Sequence, residues 1–169
     1  KWTSRIKTWV ANRVGQHFYE QMIRRGQLVI EEVRGIENFT AVKGGKVIDT
    51  TMGLTPLDGL MMGTRSGAVD PSVVTFLQEK EGWTPAETSN ILNKKSGVLG
   101  VSGIGSDFRD LLENCKPENK EKAQVALDVF VHSVKKYIGA YAAIMGGIDV
   151  LVFTAGVGEN DYDVRRYAV

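Results

Sequence analysis

Apolar residues recur at spacings of three and four through the first part of the chain: Trp2, Ile6, Trp9, Val10, Val14, Phe18 and Met22. That period gathers them on one side of a helix over residues 1–26, with Gly26 suited to its end. QLVIEEV, residues 27–33, reads as a strand. FTAVK and KVIDT flank Gly44-Gly45, and two β-rich runs around a pair able to take positive φ predict a hairpin. Further on, DPSVVTFLQEKEG, TPAETSNILNKKSG and SDFRDLLENC predict three helices. Thr84 is placed as an N-cap, with Pro85 at the first helical position and Glu87 closing a capping box. Ser106 is the N-cap candidate of the third. Ala123, Leu127, Phe130, Val131, Val134 and Ile138 predict one long helix from about Pro117 to Met145, ended by Gly146-Gly147. IDVLVFT, apolar at five of seven positions, predicts a buried strand running into AGVGEN, with Asn160 capping a last helix. Strand, glycine turn and helix together are an α/β pattern.

Composition narrows the class. A chain of 169 residues, 43% hydrophobic and 24% charged, suits one soluble domain or one large piece of a bigger protein. Starting on Lys1 rather than Met suggests a fragment. A net charge of +1 gives no global attraction to nucleic acid or to a membrane surface, so neither is expected as a partner. Cys115 is the single cysteine, which excludes a disulfide framework and a multi-cysteine metal site within the chain. His17 and His132 fall on separate predicted helices and are expected to be structural. With no signal peptide and no apolar run long enough to cross a bilayer, the expected location is cytoplasmic.

Three glycine-rich stretches carry the candidate chemistry. In VFTAGVGENDYDVRR, Gly156 and Gly158 follow the predicted strand and precede a helix start, an arrangement that favours phosphate. Tight packing alone also explains such glycines. In SGVLGVSGIGSDFRD a glycine- and serine-rich run precedes Asp107-Phe108-Arg109, with Phe108 placed beside a base and Arg109 near a phosphate. A connector with a charged first helical turn reads equally well. DTTMGLTPLDGLMMGTRSG sets Arg65 between Gly63 and Gly67. Guanidinium geometry matches a carboxylate or a transferring phosphoryl group. An ordinary surface arginine is the alternative, and the methionines read as packing. The lysines of Asn93-Lys94-Lys95 suit phosphate, but also the negative end of a helix.

In order, AVKGGKVIDTTMGLTPLDGLMMGTRSGAVDP, LNKKSGVLGVSG, SDFRD, KYIGAYAA and VFTAGVGEN resemble acetate kinase, from Phe39 to Val169. The resemblance implies a partial actin-like α/β kinase domain of the sugar kinase and heat-shock chaperone superfamily. Its parts are a β-hairpin, a strand–glycine turn–helix unit and several packed helices. It also implies reversible transfer of the γ-phosphoryl group of ATP to acetate, giving acetyl phosphate and ADP, with Mg²⁺, in a homodimer. Arg65 matches the family's active-site arginine, whose flanking glycines would give it room. Asp107, Phe108 and Arg109 match a segment that contacts the adenine nucleotide. Gly156, Val157, Gly158, Glu159 and Asn160 match a second nucleotide-binding stretch. The magnesium ligands are expected outside this chain, as is the domain carrying the rest of the acetate pocket.

Before Phe39 the pattern breaks. The family places a HLGNG-type phosphate loop there, and a FHGTSH segment upstream. This chain reads EEVRGIEN over residues 31–38. Counting back from Lys43, the family histidine falls on Glu32 and its asparagine on Gly35, and a carboxylate repels phosphate. Residues 1–38 are therefore expected to be a non-family segment, from a frameshift, a gene-model error or a fusion, and residues 39–169 a partial acetate kinase domain. Three functions follow: an incomplete acetate kinase, a non-catalytic nucleotide-binding or dimerising remnant, or a kinase of propionate or butyrate.

Overall fold

The computed structural model describes residues 27–32, 38–153 and 162–168. The expected helix over 1–26 and the turn at 156–160 lie outside them. The chain order is β1 (Gln27–Glu32), β2 (Asn38–Lys43), β3 (Lys46–Thr50), α1 (Pro71–Glu81), α2 (Pro85–Lys94), α3 (Gly97–Ser102) and α4 (Phe108–Leu112). A short 3-10 turn, Pro117–Asn119, leads into α5 (Lys120–Met145), then β4 (Val150–Val152) and α6 (Tyr162–Ala168).

β2 and β3 form the predicted hairpin, with Gly44 at φ 56° and Gly45 at φ 77°, the pair of positive angles a primed two-residue turn requires. The sheet order is β3-β2-β1-β4. β1 pairs antiparallel with β2, from Gln27 opposite Lys43 to Glu32 opposite Asn38. It pairs parallel with β4, from Leu28 opposite Val150 to Ile30 opposite Val152. The sheet thus runs across the boundary expected at Phe39: β1 lies before it, and β2 straddles it. Backbone pairing makes no use of side chains, so a change of side-chain motif before Phe39 is compatible with an intact ladder.

Phe39 and Ala41 on β2 are fully buried, and α5 lays Ala123, Ala126, Leu127, Phe130, Val134, Tyr141 and Met145 into the same core. The spacing that predicted α5 holds, with its first turn tightened into the 3-10 segment at the proline. The Lys43 ammonium reaches the carbonyl of Met145 at 2.6 Å, a cation on the negative end of that helix. β4 is shorter than expected and half-buried rather than buried. It sits at the end of the described sheet, with only β1 beside it. α1 buries none of its side chains.

Two further expectations change. The glycine- and serine-rich run holds a helix, α3, whose Val98 is fully buried. The N-cap of α4 is Asp107, not Ser106: its carboxylate accepts from the Arg109 amide at 2.9 Å. Asp107 has the extended backbone a cap needs, one residue before the helix begins.

Candidate active site

Arg65 lies on a loop that is held at both sides. The Ser66 amide donates to the Leu92 carbonyl at 2.9 Å, and the Thr64 hydroxyl to the Asn93 carbonyl at 3.0 Å, both at the end of α2. From the other side, the Val98 and Leu99 amides of α3 donate to Met62 and Gly63 carbonyls at 2.9 Å each. Ser96 donates to Thr64 at 3.0 Å. Beneath the loop, Met61 and Met62 are buried, so the methionines are packing as expected.

Glycines around Arg65 let backbone pack closely on backbone. A Cβ on Gly63 would stand 2.6 Å from the Ser106 carbonyl oxygen. One on Gly97, held at φ 62°, would stand 2.1 Å from the Met62 carbonyl oxygen and 2.7 Å from that of Arg65. Glycine is required at both because backbone packs directly on backbone. The loop is therefore clamped, and its backbone fixes where the Arg65 side chain begins.

That side chain lines an open cavity of about 740 Å³. Residues 62–65 form one wall, Asn90, Asn93 and Lys94 of α2 another, and Ser106 adjoins them. Arg65 is half-buried and its Nη1 meets the Met62 sulfur at 3.6 Å. Among the described residues no carboxylate pairs with it, and none of the cavity's lining residues is acidic. A guanidinium without a counter-ion at an open pocket can receive a carboxylate or a phosphate.

The segment after Ser106 sits beside this loop through the Gly63 contact, which brings two of the three expected stretches together. Its residues have distinct surroundings. Phe108 is 5% exposed and meets Phe130 edge-on, ring centroids 4.7 Å apart. Its ring therefore serves the core, and is not free to lie beside a base. Asp107 and Arg109 are bonded to each other, Nε to both carboxylate oxygens at 3.0 and 3.1 Å. The Arg109 guanidinium and amide hold the Asp107 carboxyl down to about 2. Asp107 in turn raises the pKa of Arg109. Gly156, Val157, Gly158, Glu159 and Asn160 lie outside the described residues.

Sequence reasoning did not gather Asn90, Asn93 and Lys94 into this site. Asn93 and Lys94 stood in a run with two readings, and only the fold of the loop onto α2 separates them. Among the described residues no group of three or more His, Cys, Asp or Glu is placed to hold a metal, so these residues do not by themselves fit a magnesium ion. No described helix is long and apolar enough to cross a membrane.

Comparison with known proteins gives this geometry a family. The chain is 54% identical over 132 residues to acetate kinase of Clostridium beijerinckii, covering 78% of this chain and 33% of that one. It is 60% identical over 130 residues to acetate kinase of Thermoanaerobacter pseudethanolicus, covering 77% and 32%. Among solved structures, Porphyromonas gingivalis acetate kinase superposes with a TM-score of 0.85 at 46% identity, over 94% of this chain and 39% of that enzyme. A propionate kinase from Francisella tularensis follows at 0.82 and 37%, over 92% and 40%. The chain spans about a third of the length of the curated relatives it matches. The family model described as the acetokinase family matches residues 6–169, beginning well before Phe39. A match of that extent, with relatives of this identity, makes this chain a member of the acetokinase family.

Proposed function

We propose that this chain carries the arginine-bearing part of a phosphotransferase that moves the γ-phosphoryl group of ATP reversibly to the carboxylate of acetate, giving acetyl phosphate and ADP. The observation that carries the reading is the guanidinium of half-buried Arg65, without a carboxylate partner among the described residues and carried by a clamped loop at the cavity. In phosphoryl transfer a protein acts mainly by positioning and by neutralising charge on the equatorial oxygens. A loop of fixed backbone that carries the Arg65 cation performs both: the loop sets where the guanidinium can reach, and the guanidinium offsets the charge of carboxylate and phosphoryl as they approach. The adenine nucleotide is assigned to Asp107, Arg109 and the backbone at Phe108, together with Gly156, Val157, Gly158, Glu159 and Asn160. Magnesium ligands are assigned outside this chain, and a homodimer in the cytoplasm is the assembly and location proposed.

The experiment is a graft. Residues 39–169 replace the matching segment of the Clostridium beijerinckii acetate kinase, and acetyl phosphate is trapped as its hydroxamate. The expected result is activity in the graft and its near-complete loss in Arg65→Ala. An inactive but folded graft sinks the reading and favours a non-catalytic remnant. The 169 residues alone are expected to give no trapped product. The propionate kinase among the structural relatives supports one second reading, a kinase of propionate or butyrate, which the same assay decides by running the three acids side by side.

A further inference from the structure

The C-terminal turn of α2 faces the cavity, and three of its last four carbonyls, those of Ile91, Leu92 and Asn93, are already met. Ile91 accepts from the Lys95 amide at 3.0 Å and from the Ser96 hydroxyl at 2.9 Å. Leu92 accepts from Ser66, and Asn93 from Thr64. A helix C-terminus normally attracts lysine because its carbonyls are unmet and its dipole end is negative. Here the Arg65 loop meets those of Leu92 and Asn93, so Lys94 is not needed to cap them. Among the described residues its ammonium has no hydrogen bond and no ion pair, and it is exposed on the cavity wall. The cavity thus presents two cations, Arg65 from the loop and Lys94 from the helix. The loop and the helix that carry them are tied together by the Ser66 amide on the Leu92 carbonyl and the Thr64 hydroxyl on the Asn93 carbonyl. Asn90 and Asn93 add neutral donors, and no acidic side chain lines the space.

We propose that Lys94 is a second anion-holding residue of this site. Arg65 takes one charged group of the ligand, Lys94 takes an adjoining one, and the cavity selects ligands that carry two linked phosphate groups over ligands that carry one. The proposal rests on the reading of Arg65 as an anion-holding residue. A nucleotide tail and free diphosphate share this chemistry.

The test is calorimetric titration of the 169-residue chain at low salt with inorganic pyrophosphate and with inorganic phosphate. Pyrophosphate is expected to bind at least about tenfold tighter than phosphate, between what one close charge pair contributes in water and what it contributes near a protein surface. Lys94→Met is expected to bring the two within about twofold while the melting temperature stays put, and Lys94→Arg to keep the preference. Arg65→Met is expected to weaken both probes. If Lys94→Met keeps the full preference while Arg65→Met weakens both probes, the Lys94 assignment is overturned and the Arg65 reading stands. If Arg65→Met changes neither, or the parent chain binds neither, both are overturned. ADP run beside pyrophosphate separates the sources: a nucleotide site holds ADP more tightly, a free-diphosphate site does not.

Discussion

Thr51 offers a perturbation whose magnitude can be worked through. It is buried where β3 ends and the Arg65 loop begins. Its hydroxyl accepts from the Phe39 amide at 3.0 Å and donates to the Asn38 side-chain oxygen at 2.8 Å. Thr51→Val keeps the shape and removes both bonds. Asn38 retains a donor, since the Thr50 hydroxyl also reaches its oxygen at 2.8 Å. Phe39 does not: it is fully buried, and its amide is left without that partner. The cost is therefore one orphaned buried donor, about 1–3 kcal/mol. For a chain of this length that is a fall of roughly 2–12 °C in Tm. Urea melts would give the energy, and hydrogen exchange at the Phe39 amide would locate it. Thr51→Ser, which keeps the hydroxyl, should leave that amide protected. A Thr51→Val protein within about 0.5 kcal/mol of the parent, with the Phe39 amide still slow to exchange, would refute the reasoning.

Other expectations are shorter. Phe130→Ala empties a fully buried site against Phe108 and should cost about 3–5 kcal/mol in denaturant melts. Gly97→Ala forces a side chain into a left-handed backbone and against the Met62 and Arg65 carbonyls, so it should destabilise by at least about 1–3 kcal/mol and weaken pyrophosphate binding together. Lys43→Met removes the cation at the end of α5 and should cost about 0.5–1 kcal/mol, read as a small Tm shift that salt diminishes. The Asp107 carboxyl, held to about 2 when folded against an ordinary 3.8, contributes stability above the unfolded value and loses it as pH falls through about 2. Carboxyl chemical shifts across that range should show the low midpoint, and Arg109→Ala should raise it.

How much was legible in the sequence depended on whether the signal was local. The hairpin at Gly44-Gly45 and the capping box at Thr84 and Glu87 are set by neighbours a few residues apart, and both appear where expected. The long face of α5 needed only period and length. α3 was hidden because Gly97 and Gly103 look like connector residues; what makes it helical is Val98 entering the core and two amides meeting the Arg65 loop. Phe108 looked available to a ligand because nothing in the sequence shows that Phe130 lies against it. Gly63 looked like a hinge for the same reason: the Ser106 carbonyl that occupies its missing side chain is more than forty residues away. The expected boundary at Phe39 came from lost side-chain motifs, which say little about a strand ladder made of backbone.

The parallel pairing of β1 with β4 sets a clock on biosynthesis. One edge of β1 is covered as soon as β2 follows, within a few residues. The other must wait for Val150 to Val152, which emerge more than a hundred residues later. At about 5–20 residues per second that interval is roughly 6–24 seconds. For all of it the nascent chain carries a β strand with an open side, next to a hairpin already able to extend into any strand that arrives first. The ribosome-bound chain is thus most exposed to wrong pairing while α1 to α5 are being made.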